Sequence, residues 1–267
     1  MNIRRIRAIV LKDWAELIQE RALVATSVGV PFLLVAIYLV FALYIPRMND
    51  LELPSIDRPA ADALAPLLKE TFASRERVQV LLLRQMVLML LVIPELATMA
   101  IATYSVIGEK RARSLEPLLA TPITTVELLA AKSLVAGIPG IAITWTAFGL
   151  AAAVLAGSLS PDALHSVFDT GTLLLVLLIG PLIALLGLSL GVVASARTSD
   201  PRTAQQIGVV VILPLVGILI LQLEGLVALT PSRILLGALG LALVDGLVLL
   251  VGVRLFQRET ILTRWKA

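Results

Sequence analysis

The sequence contains no cysteine and a single histidine, His165. The absence of cysteine excludes disulfides, thiolate metal sites and a cysteine nucleophile. One imidazole without thiols offers no credible metal cluster, because zinc sites need three or four such ligands. Motifs of the GxxxxGK[ST] and HExxH types are also missing. We therefore expect no catalytic residue, no metal, no cofactor and no ATP hydrolysis by this chain alone.

Charged residues are scarce, at 15% of the 267 residues, whereas 58% are hydrophobic. A soluble domain of this length needs less apolar surface for its core. Six apolar runs are long enough, or nearly so, to cross a hydrocarbon layer of about 30 Å as helices. We place them at residues 22–45, 86–107, 134–156, 172–194, 207–223 and 234–256. The sequence predicts an all-α membrane protein with six transmembrane helices.

The fifth run is the shortest of the six and contains Pro214. Proline lacks the backbone N–H that a helix interior uses. We therefore expect a break toward the outer end of this span.

The sequence divides into two predicted domains, residues 1–21 and a membrane domain at 22–267 with an external loop at 46–85. In the first, apolar residues recur at helical spacing: Ile3, Ile6, Val10, Trp14, Leu17 and Ile18. Polar residues are assigned to the other side: Arg4, Arg5, Lys12, Asp13, Glu16, Gln19 and Glu20. This pattern predicts an amphipathic helix lying in the membrane interface, as an anchor alone or as an element that also contacts a cytoplasmic partner.

Positive charge predicts the orientation of the chain. With both ends inside, most of the 22 lysines and arginines fall on the cytoplasmic side, where such residues are retained. The predicted location is the cytoplasmic (inner) membrane, crossed several times, with both termini in the cytoplasm. The net charge of +3 reflects this basic inner face and favours contact with anionic lipid, not with nucleic acid.

The cytoplasmic loop at 108–133 carries helix signals that a simple connection between two spans does not need. Ser114 is a candidate N-cap, and Glu116 and Pro117 fit the first turn of a short helix. Pro122 disfavours helical backbone at the residue before it. Thr124 and Glu127 then have capping-box spacing. The loop therefore predicts a short helix across the inner ends of two spans, followed directly by the third span.

These residues together resemble the permease subunits of type-2 ATP-binding-cassette (ABC) transporters. The resemblance rests on the amphipathic N-terminal helix, on Gly108-Glu109-Lys110, on Ser114 to Pro122, on Glu127-Leu128-Leu129 with Lys132, and on Phe256-Gln257-Arg258-Glu259. It implies a six-span permease that pairs with a second protomer, as a homodimer or heterodimer, and with two copies of a cytoplasmic ABC ATPase. It also implies export, a coupling helix in the central loop and a connector helix at residues 1–21.

The coupling surface that this resemblance implies has apolar residues at its centre and charges around them. The apolar members fill a cleft on the ATPase, and the polar members form the rim. The predicted coupling residues are Glu109, Lys110, Arg111, Arg113, Leu115, Glu116, Leu118, Leu119, Pro122 and Glu127. The competing class is an ATP-independent secondary transporter or channel in which the charged loop only sets topology. The sequence does not select a substrate.

Two acids lie inside predicted spans, Glu95 in the second and Asp245 in the sixth. A charge at the centre of a membrane helix costs about 2.5–3.5 kcal/mol on insertion scales. Both carboxyls should therefore face protein or a wet cavity. One interpretation is structural, with a protonated carboxyl bonded to a neighbouring helix or to the carbonyl that Pro94 frees. The other is a polar point on the translocation path or at the dimer seam.

Overall fold

The computed structural model describes residues 3–44, 74–111, 124–198, 200–223 and 226–255. These residues form helices and no strands. Six stretches among them are long and apolar enough to cross a membrane: TM1 (Arg21–Val40), TM2 (Gln79–Arg111), TM3 (Glu127–Ala156), TM4 (Thr170–Ser195), TM5 (Pro201–Gln222) and TM6 (Pro231–Arg254). The predicted all-α fold with six spans is confirmed.

The N-terminal segment forms helix α1, Ile3–Gln19, and further helices follow it along the chain. They are α2 (Arg21–Val24), α3 (Val30–Tyr44), α4 (Ser74–Leu90), α5 (Val92–Arg111), α6 (Thr125–Ala156), α7 (Pro161–Val167), α8 (Thr170–Leu174), α9 (Gly180–Arg197), α10 (Pro201–Gln206), α11 (Val209–Leu223) and α12 (Pro231–Leu255). Several helices extend beyond the predicted spans. Helix α4 begins inside the segment 46–85 that was assigned to the external loop, because a helix does not have to end where its apolar run ends.

Two spans contain a wide, π-helical turn just before a proline. Ala25–Gly29 precedes Pro31 in TM1, and Leu175–Ile179 precedes Pro181 in TM4. Proline removes one backbone donor, and its ring clashes with the carbonyl four residues earlier. A wider turn relieves that clash and lets the helix continue.

The wide turn of TM4 is bonded to TM3 by a tryptophan. Trp145 donates from Nε1 to the carbonyl oxygen of Val176 at 3.3 Å. Pro181 lies five residues after Val176 and has no N–H to offer that carbonyl in an i to i+5 turn. The indole thus replaces a backbone donor and joins two spans.

TM5 is interrupted, but not at the proline that we expected to break it. Helix α11 runs through Pro214, and the interruption lies at Ile207–Gly208, between α10 and α11. Membrane helices tolerate proline where local adjustments satisfy the freed backbone groups. Gly208, in contrast, packs against the buried Glu95 of TM2. A Cβ at position 208 would overlap Oε1 of Glu95.

TM2 occupies the centre of the protomer. The buried share of its most apolar stretch is 78%, against 50% for TM4, 18% for TM5 and 17% for TM6. Glycines bring TM4 against TM2: a Cβ on Gly187 would lie 2.9 Å from the carbonyl oxygen of Glu95, and one on Gly191 would lie 3.0 Å from the Cβ of Ala102. Any larger residue at these two positions would push the helices apart.

Candidate functional site

The start of TM3 is fixed by the capping box that the sequence predicts. Thr124 accepts a hydrogen bond at Oγ1 from the backbone N–H of Glu127 at 3.2 Å, and Glu127 accepts one at Oε2 from the N–H of Thr124 at 3.2 Å. Arg5 of α1 approaches Oε2 of Glu127 at 3.9 Å. The helix after the central loop therefore begins at a defined residue, with α1 beside it.

A buried lysine joins three elements next to this cap. The ammonium of Lys132, on TM3, donates to Oδ2 of Asp13 on α1 at 2.7 Å and to Oγ of Ser105 on TM2 at 2.6 Å, and it pairs with Oε1 of Glu109 on TM2 at 2.8 Å. An ammonium has three donors, so all three are used. Lys132, Asp13 and Glu109 are only 4%, 2% and 6% exposed. We call Asp13, Ser105, Glu109 and Lys132 the inner cluster.

Asp13 corrects the predicted division of α1 into an apolar and a polar side. We assigned it to the polar side, but it lies among the buried residues Ile6, Ile9, Val10 and Leu17. The spacing carries this signal, since Asp13 follows Val10 by three residues and precedes Leu17 by four. An acid on an apolar helix face indicates a buried cation opposite it.

A second lysine completes the charge balance at the edge of the inner cluster. Nζ of Lys12 lies 3.6 Å from Glu109, 3.6 Å from Asp13 and 3.3 Å from Glu16. Desolvation by itself lowers the pKa of Lys12, but the three carboxylates, Glu109 foremost, outweigh it and raise the pKa above its usual value. Lys12 therefore remains cationic at neutral pH and adds a second positive charge beside the two buried acids.

Helix α1 is also bonded to TM3 at a backbone carbonyl that a proline leaves without its usual donor. Trp14 donates from Nε1 to the carbonyl oxygen of Val135 at 3.1 Å. Pro139, four residues after Val135, has no N–H to bond that carbonyl. The indole satisfies the freed group, so helix α1 and TM3 are joined by a hydrogen bond as well as by charge.

The inner end of TM2 is tied to the connection between TM4 and TM5. Lys110 donates to the carbonyl oxygen of Thr198 at 3.4 Å, and Arg111 lies 3.9 Å from Asp200. The Arg111 and Asp200 side chains are exposed by 61% and 51%, so the second contact adds little stability. Contacts among the described residues thus link helix α1 to TM2 and TM3, and TM2 to the connection between TM4 and TM5.

The predicted coupling residues thus divide into two sets. Glu109 faces inward to the inner cluster and does not form part of an exposed rim, whereas Lys110 and Arg111 are more accessible. Arg113, Leu115, Glu116, Leu118, Leu119 and Pro122 lie outside the described residues. Sequence reasoning did not identify Ser105 or the internal role of Lys132, which was interpreted as a topology signal.

The two acids inside the spans face protein, as expected. Glu95 is 0% exposed and Asp245 is 2% exposed. Neither oxygen of Glu95 and neither oxygen of Asp245 has a hydrogen-bond partner among the described residues. A bond to a neighbouring helix or to the carbonyl that Pro94 frees, as the structural interpretation required, is therefore not formed among these residues. Thr98, one turn further along TM2, donates to the carbonyl oxygen of Pro94 itself at 2.6 Å.

The surroundings of Glu95 are set by three helices. Its carbonyl faces Gly187 of TM4 and its carboxyl faces Gly208 of TM5, while Thr98, one turn further along TM2, meets Gly140 of TM3. Asp245 lies on the buried stripe of TM6 with Ile234 and Ala238. Both acids are enclosed within one protomer.

Six apolar spans with TM2 at their centre, and helix α1 bonded to TM2 and TM3, define a multi-pass membrane protein. The family model for the ABC-2 family transporter protein matches residues 7–237. The chain belongs to this family, and it is a membrane subunit of an ABC transporter. A comparison with curated proteins found no match. Family membership implies an ABC ATPase subunit as the partner.

Proposed function

We propose that this chain is the permease of an ABC exporter and that its central loop transmits the motion of a separate ATPase to the spans. The observation that carries the proposal is the inner cluster. It joins α1, TM2 and TM3 at the two ends of the loop by buried ionic bonds. A push on the loop would then move these three elements together and would not be absorbed by bending at their ends.

The proposed contact with the ATPase has an apolar centre and a polar surround. Leu115, Leu118 and Leu119 enter a cleft of the partner, and Lys110, Arg111, Arg113 and Glu116 surround them. Pro122 ends the short helix, and Glu127 fixes the start of TM3. Glu109 contributes from inside, since it holds Lys132 and so links TM2 to the helix that follows the loop.

The assembly that we propose contains two copies of the ATPase and a second permease protomer. Closure of the two ATPases on ATP would push both central loops and tilt the spans, which is a two-state change biased by nucleotide. Glu95 and Asp245 are proposed as polar points beside the translocation path. Their burial within one protomer argues against the dimer seam.

A double substitution in the loop tests coupling. Leu118→Asp with Leu119→Asp would bury charge in the apolar contact, at a cost of several kcal/mol. Association with the ATPase and stimulated ATP hydrolysis should be lost, while insertion of the chain into the membrane is retained. Leu118→Met with Leu119→Met is the matched control, because methionine keeps the volume and the apolar character. Full coupling in the aspartate variant would make the loop a passive connection.

Orientation is tested separately with single cysteines in this cysteine-free chain. Cysteines placed at Ser114 and Ala267 should react only with a reagent on the cytoplasmic side of the inner membrane, and one placed at Asp57 only with a reagent outside. Labelling at position 114 or 267 from outside, or at position 57 from the cytoplasmic side, would contradict the proposed topology.

A further inference from the structure

An apolar cleft of about 560 Å³ lies between TM4, TM5 and TM6, with the outer part of TM2 as its floor. Its wall includes Leu88, Ile183, Pro214 and Leu241, one from each of the four spans. The volume lies within the range of about 300–1,000 Å³ that is usual for sites of small ligands. The described residues that line it include no member of the inner cluster.

The cleft runs along the membrane normal. It follows TM6 from Ile234 to Val248, which is roughly 21 Å at a helical rise of about 1.5 Å per residue. A cleft of that length begins at the outer end of TM6 and passes the middle of a hydrocarbon layer of about 30 Å. Empty apolar space of this length would lose dispersion contacts with its lining, so a long hydrocarbon chain suits its shape.

One cation marks the outer end of the cleft. Arg233 is the charged residue among the described lining residues. It donates from Nη1 to the carbonyl oxygen of Ala228 at 2.9 Å, and no carboxylate of a described residue lies within 4.0 Å of it. Its remaining donors can therefore bind an anion. Guanidinium binds phosphate through paired hydrogen bonds.

We propose that this cleft binds an anionic phospholipid of the surrounding bilayer, with one acyl chain between TM5 and TM6 and the phosphate on Arg233. The length of the apolar cleft fits an acyl chain, and the cation at the membrane surface favours an anionic headgroup. The lipid would fill the gap between TM5 and the rest of the protomer. The proposal does not depend on the ATPase or on the direction of transport.

The experiment measures retention of phosphatidylglycerol and phosphatidylcholine by the purified full-length protein, using native mass spectrometry. Gly237 lines the cleft, and a Cβ at this position meets no atom within 4 Å. Gly237→Phe therefore fills the cleft without a backbone clash. Gly240→Phe is the matched control, because it lies one turn further along the same helix, also has open space around its Cβ and does not line the cleft.

A second pair of variants tests the charge. Arg233→Gln should lower the retention of phosphatidylglycerol roughly tenfold, about the contribution of one charge-assisted hydrogen bond, and remove its advantage over phosphatidylcholine. Arg254→Gln, at the inner end of TM6, should leave both values unchanged.

The expected pattern is loss of both lipids in Gly237→Phe, loss of headgroup preference in Arg233→Gln, and wild-type retention in the two controls. Unchanged lipid retention in Gly237→Phe would overturn the proposal. A change in the monomer–dimer equilibrium of Gly237→Phe with unchanged lipid retention would also overturn it, and would assign the cleft to a second copy of the chain.

Discussion

Buried carboxyl groups occur in two regions of the molecule, and the two regions differ in whether a cation contacts the carboxyl oxygens. At the inner end, Asp13 and Glu109 share the ammonium of Lys132 at 2.7 and 2.8 Å. Within the spans, Glu95 and Asp245 have no hydrogen-bond partner among the described residues. A buried ion needs a counterion, whereas a carboxyl without one is accommodated in an apolar site as the neutral acid. Burial alone therefore does not indicate charge.

The largest effect is expected when the cation of the inner region is removed. Lys132→Met would leave the buried Asp13 and Glu109 with only the half-exposed Lys12, at 3.6 Å from each, as a counterion, and breaking a buried ion pair costs roughly 3–5 kcal/mol. The midpoint of thermal unfolding in detergent should fall clearly. Lys110→Met is the control, since Lys110 is less buried than Lys132 and its bond to the Thr198 carbonyl oxygen is long, at 3.4 Å.

A rescue variant separates lost charge pairing from lost packing. Lys132→Met combined with Asp13→Asn and Glu109→Gln leaves no buried charge without a partner, so much of the stability should return. If the triple variant is as unstable as Lys132→Met alone, the shape of the lysine and not its charge holds the inner cluster together.

A smaller effect is expected when the packing around Glu95 is changed and its carboxyl is left intact. Gly187→Ala would place a Cβ 2.9 Å from both the Glu95 carbonyl oxygen and Oγ1 of Thr98, and overpacking of this kind costs about 1–3 kcal/mol. Gly149→Ala in TM3 is the control, because its Cβ would meet no atom within 4 Å. Equal unfolding midpoints for the two variants would mean that TM2 and TM4 are not held at this distance.

The smallest effect is expected when the acids within the spans are changed to amides. If Glu95 and Asp245 are neutral and without bonds, Glu95→Gln and Asp245→Asn keep their shape and should each change the free energy of unfolding by less than about 1 kcal/mol. Transport measured across a pH series completes the comparison. Full transport at every pH would leave a structural role only, whereas a loss of pH dependence in either variant would show that ionisation matters.

The sequence was sufficient for the features that depend on local pattern. Six apolar runs predicted six spans, and Thr124 with Glu127 predicted the capping box, because hydropathy and capping act over a few neighbouring residues. Pro214 was misleading, since the interruption of TM5 depends on where Gly208 meets TM2 and not on the proline.

The inner cluster could not be predicted in the same way, because its members are far apart in sequence. Lys132 and Asp13 are separated by 119 positions, and only helix packing brings them together. A lysine near the end of a span usually marks the cytoplasmic side, so Lys132 was interpreted in that way. The position of Asp13 on the apolar face of α1 was the available signal.

The hydrogen bond from Trp14 to Val135 gives the protein an optical reporter of its own. The chain contains three tryptophans, and the emission of an indole moves to longer wavelength when its surroundings become wet. Departure of α1 from TM3 would expose Trp14 to water, so fluorescence of the unlabelled protein after nucleotide is added to the assembled transporter checks whether α1 and TM3 stay together as proposed. A Trp14→Phe variant identifies the part of the signal that comes from this position.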